Sequence, residues 1–322
     1  MQSKGEPRVI CEVERVSTRK GDQSVKSSAP IVSVGIPVLN GGKTLRHTLN
    51  SLLAQSLADF EVVISDNAST DDTREICQEY AEADPRIRYF RNGTNLGARA
   101  NYNRVFQLAR GEYFRWNGHD DWIDPTYLER CLEAFRRDPA AVACYTGRCR
   151  VADNIRRSKV TPAHKSADSE RQARRFHDSL WSMPYHPIFG MFKSAVLAQT
   201  DLIPNCPEPD RITLAQVALL GRFAQVDQVL FFQRHPRGGR DVWTWLDPAN
   251  TEAPKRRVVR VTKALWQSVD RFAEDGRPQC LLMKADALAF VGVQTVRGKF
   301  TQFTRVFKYR RRVKTGSAAV VP

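Results

Sequence analysis

Between residues 31 and 140 the sequence alternates short, β-branched apolar runs with amphipathic stretches of helical period, and this alternation restricts the fold more than any other feature. Ile31 to Val38 is a short apolar run that carries Pro37 near its end, as suits a strand buried in a parallel sheet. The next segment sets Leu45, Leu49, Leu52 and Leu53 on one helical face. Phe60 to Ser65 reads as a second buried strand. Ser69 or Thr70 is expected to cap the helix after it, with Asp71 and Asp72 in its first turn and Ile76 and Tyr80 on its inner face. Ile87 to Phe90 predicts a third strand, Ala98 to Leu108 a helix and Tyr113 to Trp116 a fourth strand. Pro125 then opens a helix as a first-turn proline, with Leu128, Leu132 and Phe135 inward.

Strand–helix alternation of this length predicts an α/β fold with a mostly parallel sheet and helices on both faces. Ligands in such sheets bind beyond the carboxyl ends of the strands. Three polar segments fall there: Asn40-Gly41-Gly42, Asp66-Asn67-Ala68-Ser69-Thr70-Asp71 and Gly118-His119-Asp120-Asp121. They are expected to converge on one cleft.

The remainder is less regular. Asn154 to His177 is polar and basic and reads as a loop or short surface helix. Ile188 to Phe192 resembles a strand interrupted by Gly190. Asp210 to Leu220 predicts a helix closed by Gly221, and Phe223 to Phe232 one or two strands. Two helices follow. One carries Val258, Val261, Leu265, Val269 and Phe272 inward, and the other begins after Pro278. The expected organisation is a flexible tail over 1–29, one α/β domain over 30–240 whose halves meet near 140, and a helical C-terminal region over 241–322.

No apolar run approaches the roughly 20 residues that span a bilayer, and residues 1–29 lack the apolar centre of an export signal. The seven cysteines include no Cys-x-x-Cys pair, which argues against a disulfide framework or a thiolate zinc site. These features lead us to expect a cytoplasmic protein with reduced thiols. The formal net charge of +15 points toward a polyanionic partner, unless it is only a solvated basic surface. It is concentrated after Val296, where Val296, Phe300, Phe303 and Phe307 share one helical face amid basic residues. That pattern suits either the surface of an anionic membrane or a helix packed on its own domain.

Adjacent carboxylates in the loop after a strand suit a hard divalent cation such as Mg²⁺ or Mn²⁺, so Asp120 and Asp121 are candidates for metal and diphosphate binding. The alternative is a solvated turn in which Asp121 or Asp124 caps the next helix. Asp66, directly after a buried strand, can accept a hydrogen bond from a base or ribose, whereas Ser69, Thr70 and Asp71 read as capping residues.

Taken in order, Val34-Gly35-Ile36-Pro37-Val38-Leu39-Asn40, Ser65-Asp66-Asn67-Ala68-Ser69-Thr70-Asp71, Asn95-Leu96-Gly97, Gly111-Glu112-Tyr113 and Asp120-Asp121-Trp122-Ile123-Asp124-Pro125 resemble the family 2 glycosyltransferases. The resemblance covers roughly residues 31–140 and extends more loosely over Asp210 to His235. It implies the GT-A fold, a Rossmann-like, mostly parallel sheet flanked by helices, here with a helical C-terminal extension. It implies an inverting transfer of a sugar from a nucleotide-sugar, UDP- or dTDP/GDP-linked, to a hydroxyl of a glycolipid or polysaccharide-precursor acceptor. Pro37 and Asn40 would line the nucleotide pocket, Asp66 would contact the base, and Arg91 would lie near the nucleotide. Asp120 would hold the divalent cation, with Asp121 beside it and His235 joining the metal or diphosphate. Gly118 stands where the family's first motif aspartate is expected, and His119 would line the cleft. Asp210 would be the catalytic base, with Glu208 the runner-up, and His186 would lie in an acceptor-side loop.

The implied partners are a nucleotide-sugar donor, a glycolipid or glycan acceptor and an anionic membrane surface at the inner face of the membrane. Nucleic acid is not among them, since no RNA-binding or zinc signature accompanies the charge. The rival readings are a nucleotidyltransferase on a related sheet, weakly supported by Asn40-Gly41-Gly42-Lys43, and a degenerate binding protein, motivated by Gly118.

Overall fold

The computed structural model describes residues 29–152, 159–163, 167–235, 254–273 and 278–293. The expected N-terminal tail, apart from Ala29, and the basic segment after Val293 lie outside them.

The first part follows the alternation in the sequence. Strand β1 (Val32–Val38) leads to α1 (Leu45–Leu53), β2 (Phe60–Asp66), α2 (Thr73–Ala83), β3 (Ile87–Arg91), α3 (Ala98–Leu108) and β4 (Tyr113–Trp116). Then come β5 (Trp122–Ile123), α4 (Tyr127–Arg137), β6 (Ala141–Ala152), β7 (Lys159–Thr161) and α5 (Gln172–Trp181). A 3₁₀ turn (His186–Phe189) leads to β8 (Met191–Lys193), α6 (Ser194–Leu197), α7 (Pro209–Leu220) and β9 (Arg222–His235). Helix α8 (Pro254–Phe272) and α9, over 278–293, complete the described chain.

The strands form one nine-stranded sheet in the order β3-β2-β1-β4-β8-β6-β9-β5, with β7 paired to β6. The block β3-β2-β1-β4 is parallel. Beyond it the sheet is mixed: β6 and β9 run parallel, whereas β8 is antiparallel to both β4 and β6. The 12-residue β6 was not expected; Ala141, Ala143 and Cys144 are short apolar residues, and the strand's second half is basic, so neither half carries a clear alternation. Gly190 ends the 3₁₀ turn, where a Cβ would lie 2.5 Å from the Cys144 carbonyl oxygen, so Ile188 belongs to the turn and the strand starts at Met191.

Two helix starts also differ from expectation. Helix α2 begins at Thr73 after Asp72, because Ser69 and Thr70 are taken up in contacts with the loop after β1. Helix α4 begins at Tyr127; Pro125 precedes it, and the Asp124 carboxylate accepts the Thr126 backbone N–H at 2.9 Å. The segment Asn154 to His177, read as a loop or short surface helix, contains strand β7 and the first residues of helix α5.

Three apolar cores result. One lies between the sheet and α1, α2 and α4, a second under α3, α6 and α7 on the other face, and a third among α5, α7, α8 and α9. Helix α3 crosses β1 so closely that a Cβ on Gly35 would sit 2.8 Å from both Phe114 Cζ and Val105 Cγ2. Pro37 exploits the end of β4. The Asn117 N–H reaches the Gly35 carbonyl at 2.9 Å, so Pro37, two residues on, faces the same side after its neighbour strand has ended and loses no ladder bond there. Gly35→Val is expected to destabilise the protein by about 1–3 kcal/mol through overpacking, read as a lower urea midpoint with an unchanged slope.

Candidate active site

The carboxyl ends of β1, β2 and β4 carry three loops that brace one another. Asn40, in a left-handed conformation (φ 54°), donates its N–H to Ser69 Oγ at 2.9 Å and accepts the Thr70 N–H on Oδ1 at 2.8 Å. Gly41 and Gly42 donate their N–H groups to Thr73 Oγ1 and Asp71 Oδ2 at 2.8 and 3.0 Å. The acidic turn is tied to α1 by Thr48 Oγ1, which donates to the His119 carbonyl at 2.9 Å. His119 also packs over Gly41, where a Cβ would approach its ring to 2.9 Å.

Asp66 is fully buried. Its Oδ1 accepts the Ser69 N–H at 2.8 Å, and its Oδ2 accepts the Tyr89 hydroxyl at 2.9 Å together with the Arg91 guanidinium. Asp66 and Arg91 are therefore one ion pair, and Arg91, about one-third exposed, is the member that reaches solvent. Beneath this floor, Asn101 Nδ2 donates to the Ser65 carbonyl at 2.8 Å, and Asn92 Nδ2 donates to Asn67 Oδ1 at 3.0 Å. Asn67 Nδ2 in turn donates to Asn95 Oδ1 at 2.7 Å, so side-chain amides lock the strand ends that support the site.

The acidic turn folds back on Gly118. A Cβ there would lie 2.7 Å from Asp121 Oδ2 and 3.1 Å from Asp120 Oδ1. Asp121 is buried, and its Oδ1 accepts the backbone N–H of Arg234 at 3.0 Å. Burial, then the neighbouring Asp120, holds the Asp121 carboxyl well above the usual carboxylate range, against the pull of Arg234, Arg115 and Arg148. Strand β5 carries the turn to β9: Trp122 stacks on Phe232 at 5.8 Å between centroids, and the Arg234 guanidinium lies 5.5 Å from the Trp122 ring. His235 is the next residue of β9; its side chain lies outside the described structure.

These carboxylates fit a hard divalent cation. A buried carboxylate crowded by a second one is the arrangement that such a charge relieves, and both donors are oxygen. Among the described residues no group of three or more His, Cys, Asp and Glu assembles, so the remaining positions would fall to diphosphate oxygens and water.

Asp210 approaches from the other half of the sequence. It occupies the first turn of α7, preceded by Glu208 in a left-handed conformation (φ 59°). For a residue before proline this conformation is costly, on the order of 1–3 kcal/mol. The Tyr185 hydroxyl donates to Glu208 Oε2 at 2.9 Å and so engages the alternative base. Asp210 is partly buried, and its carboxyl is pushed up to about 7 by burial and then by the charge of Glu208. The loop leading to α7 is pinned to α3 by reciprocal bonds: Asn103 Nδ2 donates to the Ile203 carbonyl at 3.2 Å and the Ile203 N–H returns to Asn103 Oδ1 at 3.0 Å. Next to Asn103 stands Tyr102. Burial, then Asp121, Asp210 and Asp120, raise its hydroxyl, so all three carboxylates lie within electrostatic reach of one side chain. His186 is buried, with Nε2 3.0 Å from the Thr146 carbonyl oxygen.

Three cations near the turn were not anticipated. Arg115 is fully buried on β4, its guanidinium 4.3 Å from the Tyr127 ring and without a hydrogen-bond partner among the described residues. Arg148 on β6 donates to Gln233 Oε1 at 3.0 Å, and burial, with Arg150, lowers it to about 10. Arg234 is the third. A charge inside the apolar strand Tyr113-Phe114-Arg115-Trp116 was a readable signal; Arg148 and Arg234 meet the turn only through the β6–β9 pairing.

Residues 33–198, just over half of the chain, match the family model described as glycosyl transferase family 2, and the chain belongs to that family. It is 35% identical over 127 residues to a chondroitin synthase of Escherichia coli, across 39% of this chain and 18% of that protein. It is 32% identical over 117 residues to a hyaluronan synthase of Pasteurella multocida, across 36% of this chain and 12% of that protein. The chain thus spans less than a fifth of either synthase. The structure of S. aureus TarS 1-349 in complex with UDP-GlcNAc superposes with a TM-score of 0.60 at 18% identity, over 80% of this chain and 72% of that one. The mannosyltransferase PcManGT from Pyrobaculum calidifontis, in complex with GDP-Man and Mn²⁺, gives 0.53 at 17% identity, over 90% and 82%. The fold is therefore the GT-A-like α/β fold that the sequence implied.

Gly118→Ala is expected to force Asp120 and Asp121 apart and to cost about 1–3 kcal/mol of stability, measured by equilibrium denaturation. A stability equal to that of the parent would mean that the turn relaxes freely.

Proposed function

We propose that the chain is an inverting glycosyltransferase that moves a sugar from a nucleotide-sugar, UDP- or dTDP/GDP-linked, to a hydroxyl of a glycolipid or polysaccharide precursor. The observation that carries this reading is that Asp210, a carboxyl pushed up to about 7, lies within electrostatic reach of the same tyrosine, Tyr102, as the acidic turn. Such a group takes a proton near neutral pH. Asp210 would accept the proton of the acceptor hydroxyl as its oxygen attacks the anomeric carbon, and the nucleoside diphosphate would leave on the opposite side, toward Asp120.

A divalent cation, Mg²⁺ or Mn²⁺, would neutralise the charge of the departing diphosphate. Asp120 would hold it, with Asp121 behind and His235 contributing from the end of β9. Asn40, Pro37 and Arg91 would border the nucleotide, and Asp66 would act through Arg91, which its buried carboxylate orients. The nucleotide-sugar is supported by the family and by the ligands of the two structural neighbours, UDP-GlcNAc and GDP-Man with Mn²⁺. A glycan acceptor is supported by the synthases among the relatives. We place the enzyme in the cytoplasm, peripheral at the inner face of the membrane. No described helix is long and apolar enough to cross a bilayer.

Calorimetric titration with UDP and GDP is expected to show binding that Mn²⁺ strengthens; no binding to any nucleoside diphosphate would overturn the proposal. Asp210→Asn is expected to lower kcat by about 100-fold or more while sparing donor binding, as loss of a general base does. In the parent, kcat/KM should rise with pH through about 7, because the base works only when ionised. An acid limb near the ordinary carboxylate range would move the base elsewhere. Catalytic transfer by Asp210→Asn at the parental rate would do the same, and donor binding without transfer in the parent would favour the degenerate reading raised by Gly118.

A further inference from the structure

Helix α9 is apolar on both sides. Its inner face, Met283, Ala287, Phe290 and Val291, is buried in the third core. At 100° per residue the opposite face carries Leu281, Leu282, Ala285, Leu288, Ala289 and Val293, and all of them are exposed. Leu281 and Leu282 are 66% and 67% exposed and Leu288 is 48% exposed. No charge interrupts this face. The helix's two charged residues sit on its flanks: Lys284 pairs with Asp270, and Asp286 lies 3.0 Å from His177 Nδ1. A helix apolar all round is ordinarily enclosed, and a contiguous exposed leucine face marks a surface that meets something.

Two tryptophans border that face. Trp266 Nε1 donates to the Lys284 carbonyl at 3.1 Å on one flank, and Trp181 Nε1 donates to Asp286 Oδ1 at 2.7 Å on the other. Each indole is 37% exposed. Their polar edges are satisfied on the protein, and part of each ring faces outward beside the leucines. Leucines flanked by partly exposed indoles are the composition of a surface seated at the boundary of acyl chains and headgroups.

Charge selects the occupant. Directly after α9 the sequence carries eight Lys and Arg from Arg297 to Lys314 and no acidic residue. A second copy of this chain would bring the same positive segment against itself, whereas an anionic bilayer satisfies both the leucines and the cations. We infer that the outer face of α9 docks on an anionic phospholipid bilayer, with Leu281, Leu282 and Leu288 in the acyl boundary and Trp181 and Trp266 at headgroup level. This deepens the functional reading by naming the surface through which an enzyme acting on a lipid-linked acceptor meets its membrane.

The test is co-sedimentation of the full chain with phosphatidylcholine vesicles, with and without phosphatidylglycerol. Binding is expected to require the anionic lipid. Leu281→Glu with Leu288→Glu should weaken it by about tenfold or more, since two buried leucines are lost, at an unchanged melting temperature. Deleting residues 294–322 should abolish the preference for phosphatidylglycerol. Three results would overturn the inference: undiminished sedimentation of the double variant, equal binding to neutral vesicles, or a parental dimer that the double variant converts to monomer without vesicle binding. Donor binding by calorimetry is scored separately, so loss of the enzymatic reading and loss of the docking surface are distinguishable.

Discussion

The site depends on one buried carboxylate. Asp121 is nearly inaccessible, yet it lies next to a second acid and in a turn too tight for a Cβ at Gly118. The burial of such a charge demands compensation, and part of it comes from three strands: the Arg234 N–H on β9, Arg115 on β4 and Arg148 on β6. Through the hydrogen bond to Arg234 the acidic turn is fixed to β9 and so to β6, which pairs with β9 along most of its length. The two halves of the sequence are thereby held at one place.

Asp210 follows from the same join. Helix α7 packs under β6 and β9, and the loop before it is moored to α3 by Asn103, beside the tyrosine within electrostatic reach of all three carboxylates. A carboxylate in the first turn of a helix ordinarily gains from the peptide dipoles there. At Asp210 burial and the neighbouring Glu208 outweigh that gain and leave a group that titrates near neutrality. The Tyr185 hydroxyl holds the Glu208 carboxylate in place, although the left-handed backbone before Pro209 is costly.

What the sequence disclosed and what it concealed divide along physical lines. Strands β1 to β4 and helices α1 and α3 were legible because each buries its own apolar face locally, and the polar segments at their ends stood out against those runs. Strand β6 was hidden because its residues are chosen by neighbours far along the chain, with irregular register around Thr146 and Gly147. The expected caps at Ser69 and Thr70 failed for a related reason: these residues serve the loop after β1 rather than the helix that follows them. Asp66 was readable as a strand-end acid, but its closure by Arg91 and Tyr89 was not, since that depends on the register of β3 against β2. Nothing local singles out Tyr102 on α3, since the three acids within its electrostatic reach come from distant segments.

Gly118 also bears on how such a site can change over generations. The turn brings the Asp121 Oδ2 to 2.7 Å and the Asp120 Oδ1 to 3.1 Å from where a Cβ on this glycine would stand, so any side chain there, an aspartate included, requires the two carboxylates to shift. The loop itself is fastened by Thr48, Trp122 and Arg234, so it is the carboxylates that would have to give way. Filling that position and keeping both carboxylates where they stand are therefore competing demands on one turn.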